Sequence, residues 1–314
     1  MNNNMQIFLV FLAAFLGLSY GYNTDGLQFS SDICLFAGLT MIMPTLFNFK
    51  IKEIILVIEH KVILLKSFLI NFLALPLLAL VIGLATGDFG IAAGIFLLSV
   101  LSGGGMVMHW IKKTQANTSI GFILLFINIV FISLSLLMLH IFGLYTENYF
   151  QAYYSDEIML SSFARGVIIL LIVIPFIASR VLVWFAQPLV NYINKYRPYI
   201  SNVSIFLIIL YLFSLQNAQL LLEIYDFEPE LILISFVAVL TFYILNFLIA
   251  KFSFNSKIPE EKSAFWFSIT RYITLALIIS TFSIGSFGAS MLIPIMLAYV
   301  IQIPFAIYYS KHVT

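Results

Sequence analysis

The stretch Ser102-Gly103-Gly104-Gly105 lies in the middle of an apolar segment that begins near Ile91. Each glycine costs a helix interior roughly 1 kcal/mol relative to alanine, so three in a row disfavour a continuous helix. In a membrane, backbone freed from helical hydrogen bonding is tolerated only where protein or a water-filled cavity satisfies it. The stretch therefore predicts either a broken transmembrane helix, as at the substrate sites of secondary transporters, or a close helix–helix contact made by small residues.

The composition predicts a polytopic helical membrane protein. Of the 314 residues, 62% are hydrophobic and 9% are charged, and the mean hydropathy is +1.07, whereas soluble domains carry about 25% charged residues. A net charge of +1 points to no nucleic acid or acidic partner. The sequence holds a single cysteine, Cys34, so it offers no disulfide framework and no thiolate metal cluster.

Apolar segments long enough to span a bilayer, at about 17–25 residues each, recur along the whole chain. They cover residues 5–22, 33–49, 61–86, 91–111, 117–143, 163–187, 199–221, 230–251, 263–284 and 287–310. Residues 1–5 include no basic residue, whereas a secretory signal normally begins with a positive region, so we interpret the first segment as a retained helix. We expect an all-α membrane protein of ten transmembrane helices.

The loop charges predict the orientation of these segments. Thirteen of the 15 basic residues lie in or beside the connections that follow the even-numbered segments. Cytoplasmic loops carry an excess of lysine and arginine, so these connections are predicted to be cytoplasmic, with both termini on the same side. We expect an integral protein of the bacterial inner membrane that contacts the lipid bilayer.

A short internal repeat predicts two inverted halves. Residues 69–73 read LINFL and residues 244–248 read ILNFL, and each run lies one segment before a candidate broken helix. Two five-helix halves have opposite orientations in the membrane, as in inverted-repeat transporters. We therefore expect one transmembrane transporter domain over residues 1–314, with repeats at about 1–145 and 160–314.

Arg271 is the basic residue that lies deep in a predicted span, within residues 268–274, which read SITRYIT. A cation at the centre of a helix costs roughly 2.5–3.5 kcal/mol on insertion scales, and intramembrane charges usually mark functional sites. No acidic residue lies deep in any predicted segment, so its partner is an anionic ligand, backbone carbonyls or polar side chains. The flanking Thr270, Tyr272 and Thr274 favour a substrate cavity, and an arginine that caps carbonyls or extends to water is the alternative.

His109 lies four residues after the glycine run and three before the basic turn at Lys112. A histidine in a span can relay protons or bind a ligand, whereas at the membrane interface it is only a surface residue. Ser102 and His109 form no convincing protease pair at this spacing, and no phosphate loop, zinc motif or nucleophile elbow occurs. We therefore expect no enzyme activity.

Amide side chains occur in or at the ends of several apolar segments: Asn71, Asn117, Asn128, Asn246 and Gln302. Amides in membranes often hydrogen-bond one helix to another, which is the alternative to a ligand role for each of them. Asn117 and Asn128, on the segment that follows the glycine run, are the preferred cavity residues.

Four runs of the sequence resemble the bile acid:sodium symporter superfamily, which includes arsenite efflux carriers and bacterial organic-anion transporters. They are residues 38–49 (GLTMIMPTLFNF), 71–78 (NFLALPLL), 102–128 and 270–304. Met106, Val107, Trp110 and Asn128 are most similar to the arsenite-carrier branch. The resemblance implies a ten-helix fold with a panel and a core domain. It also implies two unwound helices that cross at about residues 103–105 and 270–274, and alternating access to a substrate in the cleft.

The chain departs from this family at its ion sites. Sodium-coupled members carry a Thr-x-Ser-Asn run after the glycines, and a glutamate and a glutamine–asparagine pair at the ninth-helix crossing. The corresponding positions here hold Gly105, Val107, Met108, Phe267, Arg271 and Tyr272. The usual sodium ligands are therefore missing, and Gly103 replaces the cysteine of the arsenite carriers, so we expect no cofactor and no metal site.

These departures lead to a hypothesis about Arg271, which lies where family members hold sodium. A guanidinium there supplies permanently the positive charge that sodium supplies reversibly. We expect a small organic-anion carrier that works by uniport, exchange or proton coupling through His109. The alternatives are an arsenite-type efflux permease, a sodium symporter with a rebuilt site, and a non-transporting sensor or scaffold. The predicted substrate-binding residues are Gly103, Gly104, Gly105, His109, Asn117, Asn128, Thr270, Arg271, Tyr272 and Thr274.

Overall fold

A computed structural model of the chain describes residues 3–24, 27, 43–44, 47, 59–104, 106–154, 173–214 and 229–310. Nearly all of these residues are helical, and the described ranges contain no β-strand. They do contain an isolated antiparallel bridge between Ser102 and Arg271. The helical class predicted from composition is confirmed, while the arrangement of ten helices in inverted repeats stays a prediction.

The described α-helices are numbered here in chain order. They are α1 (Asn3–Asn23), α2 (Lys61–Leu69), α3 (Leu75–Thr86), α4 (Phe89–Val100), α5 (Val107–Lys113), α6 (Thr118–Val130), α7 (Ile132–Phe150), α8 (Ile174–Phe185), α9 (Gln187–Ser214), α10 (Pro229–Ser253), α11 (Pro259–Ile269), α12 (Ile273–Phe287) and α13 (Leu292–Ser310). A π-helical stretch, Ile70–Ala74, joins α2 to α3, and a 3-10 turn, Ala289–Met291, precedes α13.

The chain divides into two compact units. The first comprises Met1–Phe49 and Arg165–Glu228, and the second comprises Lys50–Ala164 and Pro229–Thr314. Within the first unit, α1 packs along α9. The single-domain description with repeats at about 1–145 and 160–314 stays a prediction.

Helix α4 is the buried centre of the second unit. All twelve of its residues are buried, and α3, α7, α12 and α13 pack around it. A helix that is apolar on every face has to be surrounded in this way. Asp88 caps its first turn by accepting a hydrogen bond from the Ile91 N–H (2.7 Å), and the Ser290 hydroxyl donates to the same carboxylate (2.7 Å).

Three helical stretches among the described residues are long and apolar enough to cross a membrane: Lys61–Thr86, Glu230–Ser253 and Leu292–Ser310. The number rises to five if each of two bent helix pairs counts as one span. The first stretch matches the predicted segment 61–86. The predicted segments 91–111 and 263–284 are interrupted in the middle, so neither forms a continuous helix of sufficient length.

One predicted connection is wrong, and one predicted span is bent. The connection expected at residues 188–198 belongs to α9, where the rings of Tyr192 and Tyr196 lie one turn apart with centroids 4.7 Å from each other and planes inclined by 51°. The predicted span 117–143 is divided into α6 and α7, which are bent by 51° at Phe131. Hydropathy alone shows neither feature, because it reports the polarity of a segment and not the direction of its axis.

Candidate functional site

The glycine run separates α4 from α5. Helix α4 ends at Val100, and Gly103 and Gly104 then adopt φ values of +74° and +119° before α5 begins at Val107. Side chains disfavour this left-handed region, so glycine is the residue that fits it. Gly105 lies outside the described residues. The broken helix predicted from the sequence is therefore present.

A second interruption separates α11 from α12. Helix α11 ends at Ile269, Thr270 has extended backbone angles (φ −92°, ψ 137°), and α12 begins at Ile273. The Thr270 side chain is buried, and its hydroxyl donates to the carbonyl of Trp266 (2.7 Å). The second break falls within residues 270–274, where the resemblance implied it.

The two interruptions pair with each other. The N–H of Tyr272 donates to the carbonyl of Leu101 (2.9 Å), and the N–H of Gly103 donates to the carbonyl of Thr270 (2.9 Å). Each stretch thereby satisfies backbone groups that the other has lost from helical bonding, which buried backbone in a membrane requires.

Both sequence interpretations of the glycines apply. A Cβ atom at Gly103 would lie 2.4 Å from Cε2 of Phe267, and one at Gly104 would lie 3.2 Å from the Cα atom of Tyr272. The glycines therefore break the helix and also allow a close approach to the second interruption.

Arg271 lies at this bridge with 2% of its surface exposed. Its NH1 group donates to the carbonyl of Ser99 (2.9 Å), and its NH2 group donates to Oδ1 of Asn71 (3.0 Å) and to the carbonyl of Ser268. Ser99 and Ser268 are the penultimate residues of α4 and α11. The guanidinium therefore contacts the C-terminal, electronegative ends of two half-helices.

The side-chain amide of Gln302, on α13, forms hydrogen bonds with the backbone of Arg271. Its Oε1 accepts hydrogen bonds from the Arg271 N–H (2.6 Å) and from the Tyr243 hydroxyl (2.8 Å), and its Nε2 donates to the Arg271 carbonyl (3.3 Å). The amide thus bonds to this peptide as a neighbouring strand would. From the sequence, Gln302 is a polar residue of a span and is not among the predicted site residues.

Asn71 and Asn246, the asparagines of the short repeat, both reach Ser268. Asn71 lies in the π-helical stretch and donates to the Ser268 hydroxyl (3.2 Å), while Asn246 donates to the Ser268 carbonyl (3.1 Å). π-Helical bulges are frequent at functional sites. Neither residue was among the predicted site residues, although the repeat was the signal that could have identified them.

Asn128 of α6 holds the first interruption. Its Nδ2 donates to the carbonyl of Ser102 (2.6 Å), and the Ser102 hydroxyl donates to its Oδ1 (3.2 Å). Tyr272 and Thr274 are also buried, and the Thr274 hydroxyl is hydrogen-bonded to that of Tyr299 (2.6 Å). The structure therefore brings five of the predicted residues into the buried cluster with Gly103 and Gly104: Asn128, Thr270, Arg271, Tyr272 and Thr274.

His109 and Asn117 lie elsewhere. The His109 side chain is exposed on α5. Its ring lies edge-on to that of Trp110, with the two ring centroids 5.0 Å apart. Asn117 caps α6 by accepting hydrogen bonds from the N–H groups of Ser119 (3.0 Å) and Ile120 (3.2 Å). Its Nδ2 donates to Glu260 at the start of α11 (2.9 Å). Their predicted contact with substrate stays a prediction.

Asn117→Ser is expected to keep the cap of α6 and to lose the contact with Glu260. The hydrogen bond from Asn117 is the main cause of a lowered pKa of the Glu260 carboxyl. A lowered folded-state pKa contributes stability that is present at neutral pH and is lost as the pH falls through that pKa. The difference in melting temperature between wild type and Asn117→Ser should therefore be present at neutral pH and disappear in acid.

Asn117→Ala serves as the matched control for this pair. It removes the cap as well, at a cost of about 1 kcal/mol, and this loss should persist in acid. A difference between wild type and Asn117→Ser that does not change with pH would contradict the role of Glu260.

Two mid-helix interruptions, paired by backbone hydrogen bonds inside apolar helices, are typical of secondary transporters. The chain belongs to the sodium bile acid symporter family, whose model matches residues 33–224. No curated protein matches the chain in sequence. Members of this family are transporters, and the chain is accordingly an integral membrane protein. The matched region includes Asn71, the glycine run and Asn128, whereas Arg271 lies beyond it.

Proposed function

We propose that this protein is a secondary transporter of a small organic anion that works by alternating access without sodium. In this proposal, Arg271 supplies the positive charge that a bound sodium ion supplies in sodium-coupled carriers. The substrate carboxylate or sulfonate binds beside the guanidinium, near Gly103, Gly104 and Thr274.

One observation carries the proposal: the Arg271 guanidinium is bonded to the carbonyl ends of two interrupted helices. Its acceptors are the Ser99 and Ser268 carbonyls and the Asn71 amide oxygen. Carbonyl and amide oxygens are also the ligands that hard cations take in proteins. The guanidinium therefore bonds to oxygen atoms of the kind that hard cations take as ligands.

The Nε atom of Arg271 supports an anionic ligand. It is buried and has no hydrogen-bond acceptor among the described residues. A buried donor without an acceptor costs about 1–3 kcal/mol. The anionic group of a substrate supplies both an acceptor for Nε and a charge opposite to that of the guanidinium.

We further propose that the second compact unit is the core domain and that the first is the panel domain. The ten-helix fold with inverted repeats, the bacterial inner membrane and the cytoplasmic position of both termini belong to the same proposal. It rests on the distribution of basic loop residues and on the presence of both helix interruptions in the second unit.

The proposal is tested by thermal unfolding of the purified full chain with pyruvate, benzoate, taurocholate or arsenite, each in sodium and in choline buffer. A ligand that binds only the folded state stabilises it by about 2.7 kcal/mol at 100 times its Kd. We expect at least one of the organic anions to raise the melting temperature equally in both buffers. Stabilisation that requires sodium indicates a sodium symporter with a rebuilt site, and stabilisation by arsenite alone indicates an efflux permease.

Three arginine variants make this test specific. Arg271→Gln is expected to abolish the anion-dependent stabilisation, whereas Arg271→Lys keeps the charge and should retain a weaker effect. Arg180→Gln is the matched control. Arg180 lies in the first unit, where its Cζ atom is 5.6 Å from the centre of the Phe176 ring. Unchanged anion affinity in Arg271→Gln would contradict the proposal.

A further inference from the structure

We infer that this transporter is an obligate exchanger: an anion has to be bound each time the site changes sides, so one anion leaves only as another enters. The inference rests on the proposed function, in which Arg271 binds the transported anion. It adds the mode of transport, for which the sequence left uniport, exchange and proton coupling open.

The charge of the closed site carries the inference. Arg271 is 2% exposed, and the oxygens that accept its hydrogen bonds belong to two backbone carbonyls and an amide. These groups, including the two helix C-termini, carry partial negative charges that offset part of the charge of the cation, but none of them carries a formal charge. Among the described residues, no aspartate or glutamate is buried. The site as described therefore keeps its positive charge when it is closed and empty.

Nearby titratable groups do not remove this charge. The Tyr243 hydroxyl donates a hydrogen bond to Oε1 of Gln302, and the Thr274 and Tyr299 hydroxyls are hydrogen-bonded to each other. None of these groups is a carboxylate that could pair with the guanidinium. Protonation of His109 would add a second positive charge. An arriving anion is the group that cancels the charge of the guanidinium.

The empty site and the anion-loaded site therefore differ in how easily they close. In a state open to either side, water and counter-ions screen the guanidinium, whereas the closed state between them surrounds it with protein alone. The cost of a cation at mid-membrane depth slows the passage of the empty site through the closed state. The rate is roughly 100-fold lower than for the neutral, anion-loaded site. A sodium-coupled carrier avoids this penalty because its cation leaves together with the substrate.

The test uses proteoliposomes of the full chain loaded with radiolabelled pyruvate, benzoate or taurocholate in separate assays. Efflux is measured into sodium-free medium that is balanced with sucrose and contains no external small anion, and into the same medium with the unlabelled form of the probe. We expect the external probe to accelerate efflux by about 100-fold. Arg271→Gln should abolish the accelerated efflux, and Arg180→Gln should leave it unchanged.

The outcomes separate this inference from the proposed function. Equal efflux with and without external probe, together with loss of efflux in Arg271→Gln, overturns exchange and leaves an arginine-dependent uniporter. Accelerated efflux that persists in Arg271→Gln overturns the proposed function and the exchange inference with it. Failure of the wild-type protein to move any of the three probes does the same.

Discussion

Gly103→Ala is expected to be among the most destabilising single substitutions in the second unit. The backbone of Gly103 has φ +74°, and a Cβ atom there would lie 2.4 Å from Cε2 of Phe267. A left-handed conformation costs a non-glycine residue roughly 1–2 kcal/mol, and overpacking of a core adds about 1–3 kcal/mol. The measurement is thermal unfolding of the full chain in detergent, compared with wild type.

Two other glycines provide matched controls for this substitution. Gly87 has φ +72° with no atom within 4 Å of an added Cβ, so Gly87→Ala measures the backbone cost alone. Gly285, near the end of α12, has neither a positive φ nor a close neighbour, and its substitution should be neutral or stabilise by up to about 1 kcal/mol. A Gly103→Ala variant no less stable than Gly87→Ala would show that Phe267 moves aside easily.

The two interruptions could be predicted from the sequence because each has a strong local signal. Three adjacent glycines oppose a continuous helix, and a lone arginine deep in an apolar segment needs polar partners. Backbone carbonyls were named among the possible partners of Arg271, and those of Ser99 and Ser268 accept its hydrogen bonds. An anionic ligand of Arg271 stays a prediction.

The partners of the interruptions could not be chosen from the sequence. Gln302 lies 31 residues from Arg271 along the chain, and Asn71 lies 200 residues from it. A membrane amide that joins two helices and one that supports a site look the same in a sequence, because both are polar residues in apolar segments. For Asn117 the sequence does contain a signal for its role. It stands at the start of a helix, a position that fits the cap that it forms in the structure.

Asn71→Asp is expected to abolish anion binding while the protein remains folded. The Asn71 Oδ1 atom lies 3.0 Å from NH2 of Arg271, so an aspartate there places a carboxylate against the guanidinium. The lost Nδ2 group also donates to the carbonyl (2.8 Å) and the hydroxyl (3.3 Å) of Ser67. The Ser67 and Ser268 hydroxyls can rotate to donate to the new carboxylate and so replace it in part. The internal ion pair should keep the melting temperature at or above that of wild type. It should also weaken anion binding by at least about 100-fold through repulsion of the ligand.

Asn71→Leu is the matched control, because it removes the same amide without adding a charge. It takes one acceptor from Arg271 and should destabilise the empty protein by about 1–3 kcal/mol, yet it leaves the guanidinium positive and should retain anion-dependent stabilisation. Asn71→Asp is therefore expected to keep its stability and lose anion binding, whereas Asn71→Leu is expected to lose stability and keep anion binding. Both quantities are measured in one thermal-unfolding series with pyruvate, benzoate and taurocholate. Wild-type anion affinity in Asn71→Asp would mean that the charge of Arg271 does not hold the anion, because its guanidinium would already be neutralised by the adjacent carboxylate.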